Sequence, residues 1–165
     1  MVLPVIVLAG AINSGKSKTL RGIAAKGHGM GGNVFSIKGK RICIYFSSLQ
    51  ERVGFCIYHK AIKLLEHMIW KCKSEKCALL IIAFRMKAKR GQLNSNCVTK
   101  PLAHLARKGL KAHLVYLRKA SGRKSQLNLM DDLMSRLKAQ EINSRRGDQK
   151  RQAAELWKIV RTVDP

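Results

Sequence analysis

Val2-Leu3-Pro4-Val5-Ile6-Val7-Leu8-Ala9-Gly10-Ala11-Ile12-Asn13-Ser14-Gly15-Lys16-Ser17 opens the chain and decides how the rest is read. Its first half is a continuous apolar, β-rich run. A strand that is apolar on both faces belongs inside a parallel sheet, where helices cover it above and below. Pro4 is compatible with the beginning of a strand. The second half, Gly10–Ser17, satisfies G-x-x-x-x-G-K-[ST] in full, and Lys18–Lys26 follows with Leu20, Ile23 and Ala24 at helical spacing. Strand, glycine loop and helix in that order are the context in which this motif cradles phosphate.

Each position of the loop has a physical task. Gly10 and Gly15 permit the tight backbone turns that aim the N–H groups of Asn13, Ser14 and Gly15 into one concavity. The helix that follows adds the positive end of its dipole. Lys16 can reach the β- and γ-phosphates, and the Ser17 hydroxyl can ligate the Mg2+ that bridges them. Lys18 stands where a small hydroxyl residue is usual, beside the α-phosphate, and offers its backbone N–H; Thr19 is expected to face the same region. The pattern predicts a site for a nucleoside triphosphate, ATP or GTP, with Mg2+ as the accompanying ion.

Outward from the loop, Gly27-His28-Gly29-Met30-Gly31-Gly32 reads as a breaker. Asn33–Ile37 and Arg41–Phe46 read as two strands of a hairpin turning at Lys38-Gly39-Lys40. Ser47–Gly54 reads as a loop, and a helix is predicted from about Phe55 to Lys73, with Ile57, Ala61, Leu64, Leu65, Met68 and Ile69 as its apolar stripe. Cys77–Phe84 is a second buried strand, followed by a basic loop Arg85–Gln92. A helix over Val98–Gly109 and a strand over Ala112–Leu117 complete the alternation. The remainder reads as helical, with one stripe at Met130, Leu133, Met134 and Leu137 and another at Ala153, Leu156, Trp157 and Val160. Asp131 and Asp132 suit a first turn, and Asp148 suits an N-cap. The expected fold is therefore α/β: a three-layer α/β/α arrangement with a mostly parallel sheet, an added β-hairpin and C-terminal helices. Residues 1–120 are expected to form the nucleotide-binding domain. Residues 121–165 would be a basic helical extension packed on it or on a partner.

Enzymes with such a loop ordinarily end a neighbouring strand in Asp or Glu, which orients the magnesium shell or activates water. Here Cys77–Phe84 runs into Arg85-Met86-Lys87, and no acid occurs between Glu75 and Asp131. Glu51, in Ser47-Ser48-Leu49-Gln50-Glu51, is the available replacement; its competing reading is an ordinary surface carboxylate. The order of phosphate loop, hairpin with a Gly39-Lys40-Arg41 turn, Ser-rich acidic loop, amphipathic helix and a strand entering Ala83-Phe84-Arg85 resembles a family of small microbial P-loop proteins within the nucleoside triphosphate hydrolase superfamily. The resemblance spans Val5 to Leu117. Where that family carries Ser-x-Gly-Asp, this chain has Ser48-Leu49-Gln50-Glu51, so the resemblance assigns Glu51 the place of the Asp, with Gln50 as a departure. It also implies a functional arginine at Arg85. The family has no settled activity.

Lys and Arg number 33 against 9 acids, a net charge of +24. Such a field attracts polyanions, and DNA or RNA is the partner first expected; an anionic membrane surface or a heavily phosphorylated small molecule would also answer to it. Arg85, Lys87, Lys89 and Arg90, and Arg118, Lys119, Arg123 and Lys124, leave successive strands at the edge where open α/β sheets bind ligands. They are expected to surround the nucleotide, as a lid, as an arginine finger or as a polynucleotide track. The five Cys (Cys43, Cys56, Cys72, Cys77 and Cys97) are odd in number with no Cys-x-x-Cys pair, which speaks against a disulfide framework and a zinc knuckle. The apolar runs are shorter than a membrane span, and an intracellular, cytoplasmic setting is expected. Trp70 and Trp157 are expected in core or interface. Three functions remain open from sequence: a weak NTPase acting near nucleic acid, with Lys16, Glu51 and Arg85 as catalytic groups; a nucleoside- or nucleotide-type kinase with a basic lid; and a nucleotide-responsive module without turnover.

Overall fold

Val5, Ile6, Val7, Leu8 and Ala9 are completely buried, and the way they are buried organises the molecule. The computed structural model describes residues 2–11, 13–49, 58–86, 88–89, 92–119, 124–144 and 148–163. In it, β1 (Val5–Gly10) belongs to a seven-stranded sheet and is the middle of that sheet's five parallel strands. It pairs in parallel on one side with β5 (Leu79–Arg85) and on the other with β8 (Ala112–Lys119). The remaining strands are β2 (His28–Gly31), β3 (Val34–Ile37), β4 (Lys40–Ser48) and β9 (Gln140–Ser144), and the order across the sheet is β2-β3-β4-β5-β1-β8-β9. β2, β3 and β4 are joined antiparallel; β4, β5, β1, β8 and β9 run parallel. A separate two-stranded ribbon, β6 (Ala88–Lys89) with β7 (Gln92–Leu93), stands in the segment expected as a basic loop.

Side chains alternate across each strand, so β1 feeds two cores. Val5, Val7 and Ala9 face helices α2 (Tyr58–Ser74), α3 (Asn96–Arg107) and α4 (Lys124–Arg136), packing with Leu65, Met68, Val98, Leu105, Met130 and Leu133. Ile6 and Leu8 face α1 (Lys16–Ala24) and α5 (Gln149–Val163), packing with Leu20, Ile23, Leu156, Ile159 and Val160. The handedness of parallel crossovers explains the division. The chain leaves β1 towards β4 through α1, then returns across the sheet through α2, α3 and α4, so α1 lies on the opposite face. Each fully buried Val, Leu or Ile here contributes about 1.5–3 kcal/mol, which makes both faces necessary to so basic a chain.

The structure is an α/β fold with a mixed, mostly parallel sheet and, among the described residues, five helices, and the expected hairpin is β3–β4. Three readings need correction. The glycine-rich breaker carries the exposed edge strand β2, whose register shifts between Gly29 and Gly31. The tail expected to be all helix contains β9, which pairs with β8 from Val115↔Gln140 to Lys119↔Ser144. Ile142 is its buried apolar residue, too little for a periodic signal. Asp131 and Asp132 fall in the second half of α4 rather than its first turn. Asp148 does precede the first residue of α5, and its carbonyl accepts the Gln152 N–H. Cys43, Cys72, Cys77 and Cys97 are buried; Cys56 lies outside the described residues. No helix among the described residues is long and apolar enough to cross a membrane.

α5 rests on α1 at a glycine. A Cβ on Gly22 would stand 2.7 Å from Ala153 Cβ, with no flexible atom able to yield. Alanine in place of glycine favours a helix by about 1 kcal/mol, whereas overpacking costs about 1–3 kcal/mol. Gly22→Ala is therefore expected to lower the urea midpoint. A raised midpoint would show that the two helices do not meet there.

Candidate functional site

Gly10 ends β1 between Arg85 of β5 and Leu117 of β8, and its carbonyl accepts the Met86 N–H at 3.0 Å. Its missing side chain is needed. A Cβ would come 2.6 Å from Ser14 Oγ and 3.0 Å from Leu117 O, so any other residue would push the loop off the strand end. The loop turns through Asn13 at φ 57° and Gly15 at φ 89°, both left-handed, with Ser14 N–H bonded to Ala11 O at 3.3 Å. Gly15 is the residue immediately before α1. Asn tolerates a left-handed backbone better than most residues, and Gly is indifferent to it.

Lys16 is the first residue of α1, yet its side chain is buried, at 7% exposure. Its ammonium turns back on the loop and donates to Gly10 O at 3.0 Å, Ala11 O at 2.6 Å and Ser14 Oγ at 3.2 Å. An ammonium carries three protons, so this cage of three oxygens matches its donor capacity and offsets the cost of taking the charge from water. Ser17 Oγ donates to Phe46 O at 2.8 Å, tying the first turn of α1 to the end of β4. The loop and α1 open on a cleft of about 390 Å³. Asn13, Ser14, Gly15, Lys16, Ser17 and Lys18 line it from one side, Ser48 of β4 and Gln149 of α5 from the others. That volume lies in the range of small-molecule pockets, about 300–1,000 Å³.

The structure thus brings most of the anticipated loop residues to one cleft, but not all. Thr19 is fully buried and faces α5 instead: its hydroxyl stands 3.0 Å from both Gly15 O and Gln152 Oε1. Sharing one proton between those oxygens, it latches α5 to the loop. Gln152 is 2% exposed, and its Oε1 would lie 3.1 Å from a Cβ on Gly15. Gln149 and Gln152 were not foreseen. Nothing in a lone glutamine of a basic tail marks it for a partner 133 positions away. Ser48, which falls in the segment read from sequence as a loop, ends β4 and lines the cleft.

The basic clusters divide. Arg85 ends β5 and is paired with Gly10 across the two strand ends. Lys87, Arg90 and Arg123 lie outside the described residues, as does Glu51. Arg118 does not surround the cleft as expected. Its Nε and one terminal amine donate to Asp131 Oδ2 at 3.1 and 2.8 Å, and its other amine lies 3.7 Å from Glu141 Oε1. Asp131 Oδ1 also accepts the Tyr116 hydroxyl at 2.8 Å. Arg118, the acid and the phenol therefore join β8 to α4. No carboxylate belongs to the described lining of the cleft, and no group of His, Cys, Asp or Glu able to hold a metal ion occurs among the described residues. Comparison of the chain with protein-family models, with curated proteins and with solved structures gives no match.

Burial, and then the bond to Asp131, push the Tyr116 phenol above its ordinary range. A raised acid prefers its neutral form in the folded state. The stability it contributes is present below the ordinary tyrosine pKa near 10 and is lost as pH rises beyond it. Urea midpoints followed from pH 7 to pH 11 are expected to fall less steeply above about pH 10 in Tyr116→Phe than in the parent chain. Equal slopes would remove Tyr116 from the alkaline transition.

Proposed function

We propose that the Gly10–Ser17 loop binds a nucleoside triphosphate with Mg2+, and that the chain is a slow NTPase working against nucleic acid, built on the three-layer P-loop fold. The observation that carries this reading is the position of the loop. It leaves the carboxyl end of β1, the middle of the five parallel strands, where the chain first turns one way across the sheet and later strands are laid down on the other side. Open α/β sheets bind their ligands in the crevice at such a point. The full motif, the left-handed turns at Asn13 and Gly15 and the cleft of about 390 Å³ all occur there.

In this reading the loop amides and the amino end of α1 receive the phosphate oxygens, and Lys16 exchanges loop carbonyls for the β- and γ-phosphates. Its caged ammonium is already stripped of water and held within the loop, so little ordering remains to be done when an anion arrives. Ser17 and Ser48 supply neutral oxygen donors of the kind magnesium accepts, and Ser17 would release Phe46 O to do so. When bound, the ion would neutralise charge on the terminal phosphates. Lys18 and Gln149 reach the cleft from either side. The absence of a carboxylate from the described lining favours slow turnover, and it keeps a second reading, nucleotide binding without hydrolysis, in contention.

Calorimetric titration with ATP and GTP in the presence of Mg2+, followed by analysis of the products, tests the proposal. Each hydrogen bond to a charged group is worth about 1.5–3 kcal/mol, so Lys16→Ala is expected to weaken triphosphate binding by at least about tenfold while leaving the thermal unfolding curve cooperative. Heat of binding equal in the variant and the parent would dispose of the site. Glu51→Gln separates the two readings. As the replacement base it would contribute about 10²–10⁴-fold to turnover and little to affinity. Unchanged turnover would return Glu51 to the status of a surface acid.

A further inference from the structure

Helix α2 presents to solvent a face that neither the sheet nor the cleft uses. Ala61, Leu65, Met68, Ile69 and Cys72 form its inner stripe. On the outer side Lys60, Lys63, His67, Trp70 and Lys73 recur at helical spacing, all exposed. Trp70 is 64% exposed, so of the two places expected for it, core or interface, it is not in the core. The His67 ring stands 5.8 Å from it, tilted by 30°, so the two rings make one shelf on the helix surface. Beside the shelf, Lys71 extends over the glycine turn before β3, where its ammonium lies 2.9 Å from the place a Cβ on Gly32 would take. The acid on this face, Glu66, is held by His104 Nε2 and Lys108 Nζ, each at 3.3 Å, so it repels an approaching anion less than a bare carboxylate would.

We propose that this face of α2 binds an unpaired nucleic-acid strand, with a base stacked on Trp70 beside His67 and the backbone phosphates following the lysines. An aromatic shelf bordered by cations is the arrangement that grips single strands without reading their sequence, because every base has a π-face and every link a negative charge. A duplex keeps its π-faces inside and offers Trp70 no stacking partner. A second copy of this chain is opposed by a net charge of +24 on each. A hydrophobic partner would need more than one ring: the exposed large apolar side chains among the described residues are Val2, Met30 and Trp70. The inference rests on the polynucleotide partner proposed above and adds where on the molecule the strand lies.

Fluorescence anisotropy of a labelled oligo-dT of about twelve nucleotides, without added triphosphate, tests the placement. The parent chain is expected to bind it with quenching of tryptophan emission. Trp70→Ala, at an exposed position and with its circular dichroism unchanged, is expected to weaken binding by about tenfold, and Trp70→Phe, which keeps a stacking face, by less than about threefold. Removing Lys63 and Lys73 together should reduce the slope of log affinity against log salt by about one. Lys16→Ala should leave oligo-dT binding as it is, which separates this surface from the cleft. The placement is overturned if Trp70→Ala binds within about twofold of the parent, if a duplex of the same length binds as tightly, or if Lys16→Ala abolishes binding. Should the parent chain bind no strand at all, the polynucleotide partner itself falls, while the triphosphate site stands or falls by its own titration.

Discussion

The Lys16 ammonium, caged by Gly10 O, Ala11 O and Ser14 Oγ, is the interaction on which the working end of the molecule depends. It closes the loop on itself across the end of β1. It is possible only because Gly10 has no side chain to displace Ser14, and because Asn13 and Gly15 accept a left-handed backbone. Without these acceptors, burying the ammonium would cost several kcal/mol. With it, the loop is held at the mouth of a strand that cannot move, since β1 is paired on both edges and packed on both faces.

The same loop is braced from three directions by contacts far apart in the chain. Ser17 reaches Phe46 O at the end of β4, Met86 N–H reaches Gly10 O beyond the end of β5, and Thr19 reaches Gln152 on α5. α5 is therefore more than a cap on one core. Its Gln149 and Gln152 bring the carboxyl-terminal helix to the loop, so the last element of the chain helps to shape the first. β9 makes this geometry, because it extends the parallel sheet past β8 and delivers α5 back to the face occupied by α1.

Charge is spent differently on the two sides of zero. Glu66, Asp131, Asp132, Glu141, Asp148 and Glu155 each sit against a cation, and these pairs are wholly or partly solvated. Such pairs contribute about 0–1 kcal/mol apiece. Their larger effect is to reduce repulsion locally, as where Asp131 fixes Arg118 between β8 and α4. The excess of 33 Lys and Arg over 9 acids makes the chain as a whole strongly positive. A polyanion laid on that surface would relieve the repulsion that folding imposes on it.

Local chemistry written in consecutive residues was legible from the sequence alone. The apolar run of β1 and β5, the glycine loop before α1, the β3–β4 hairpin and the stripes of α2 and α3 all follow from periods of two or 3.6 and from glycine at the turns. The left-handed turn at Gly15 could be read in the same way. Strand order, and the side chains that meet across it, were decided by tertiary structure. β9 has one buried apolar residue and β2 is glycine-rich and exposed, so neither carries a periodic signal; each exists because a neighbouring strand offers its open edge. Thr19 turned from the cleft to Gln152, Arg118 from the cleft to Asp131, and Trp70 out to solvent, because a side chain's partner depends on which element packs opposite. That is fixed by the whole set of crossovers, and no window of neighbouring residues contains it.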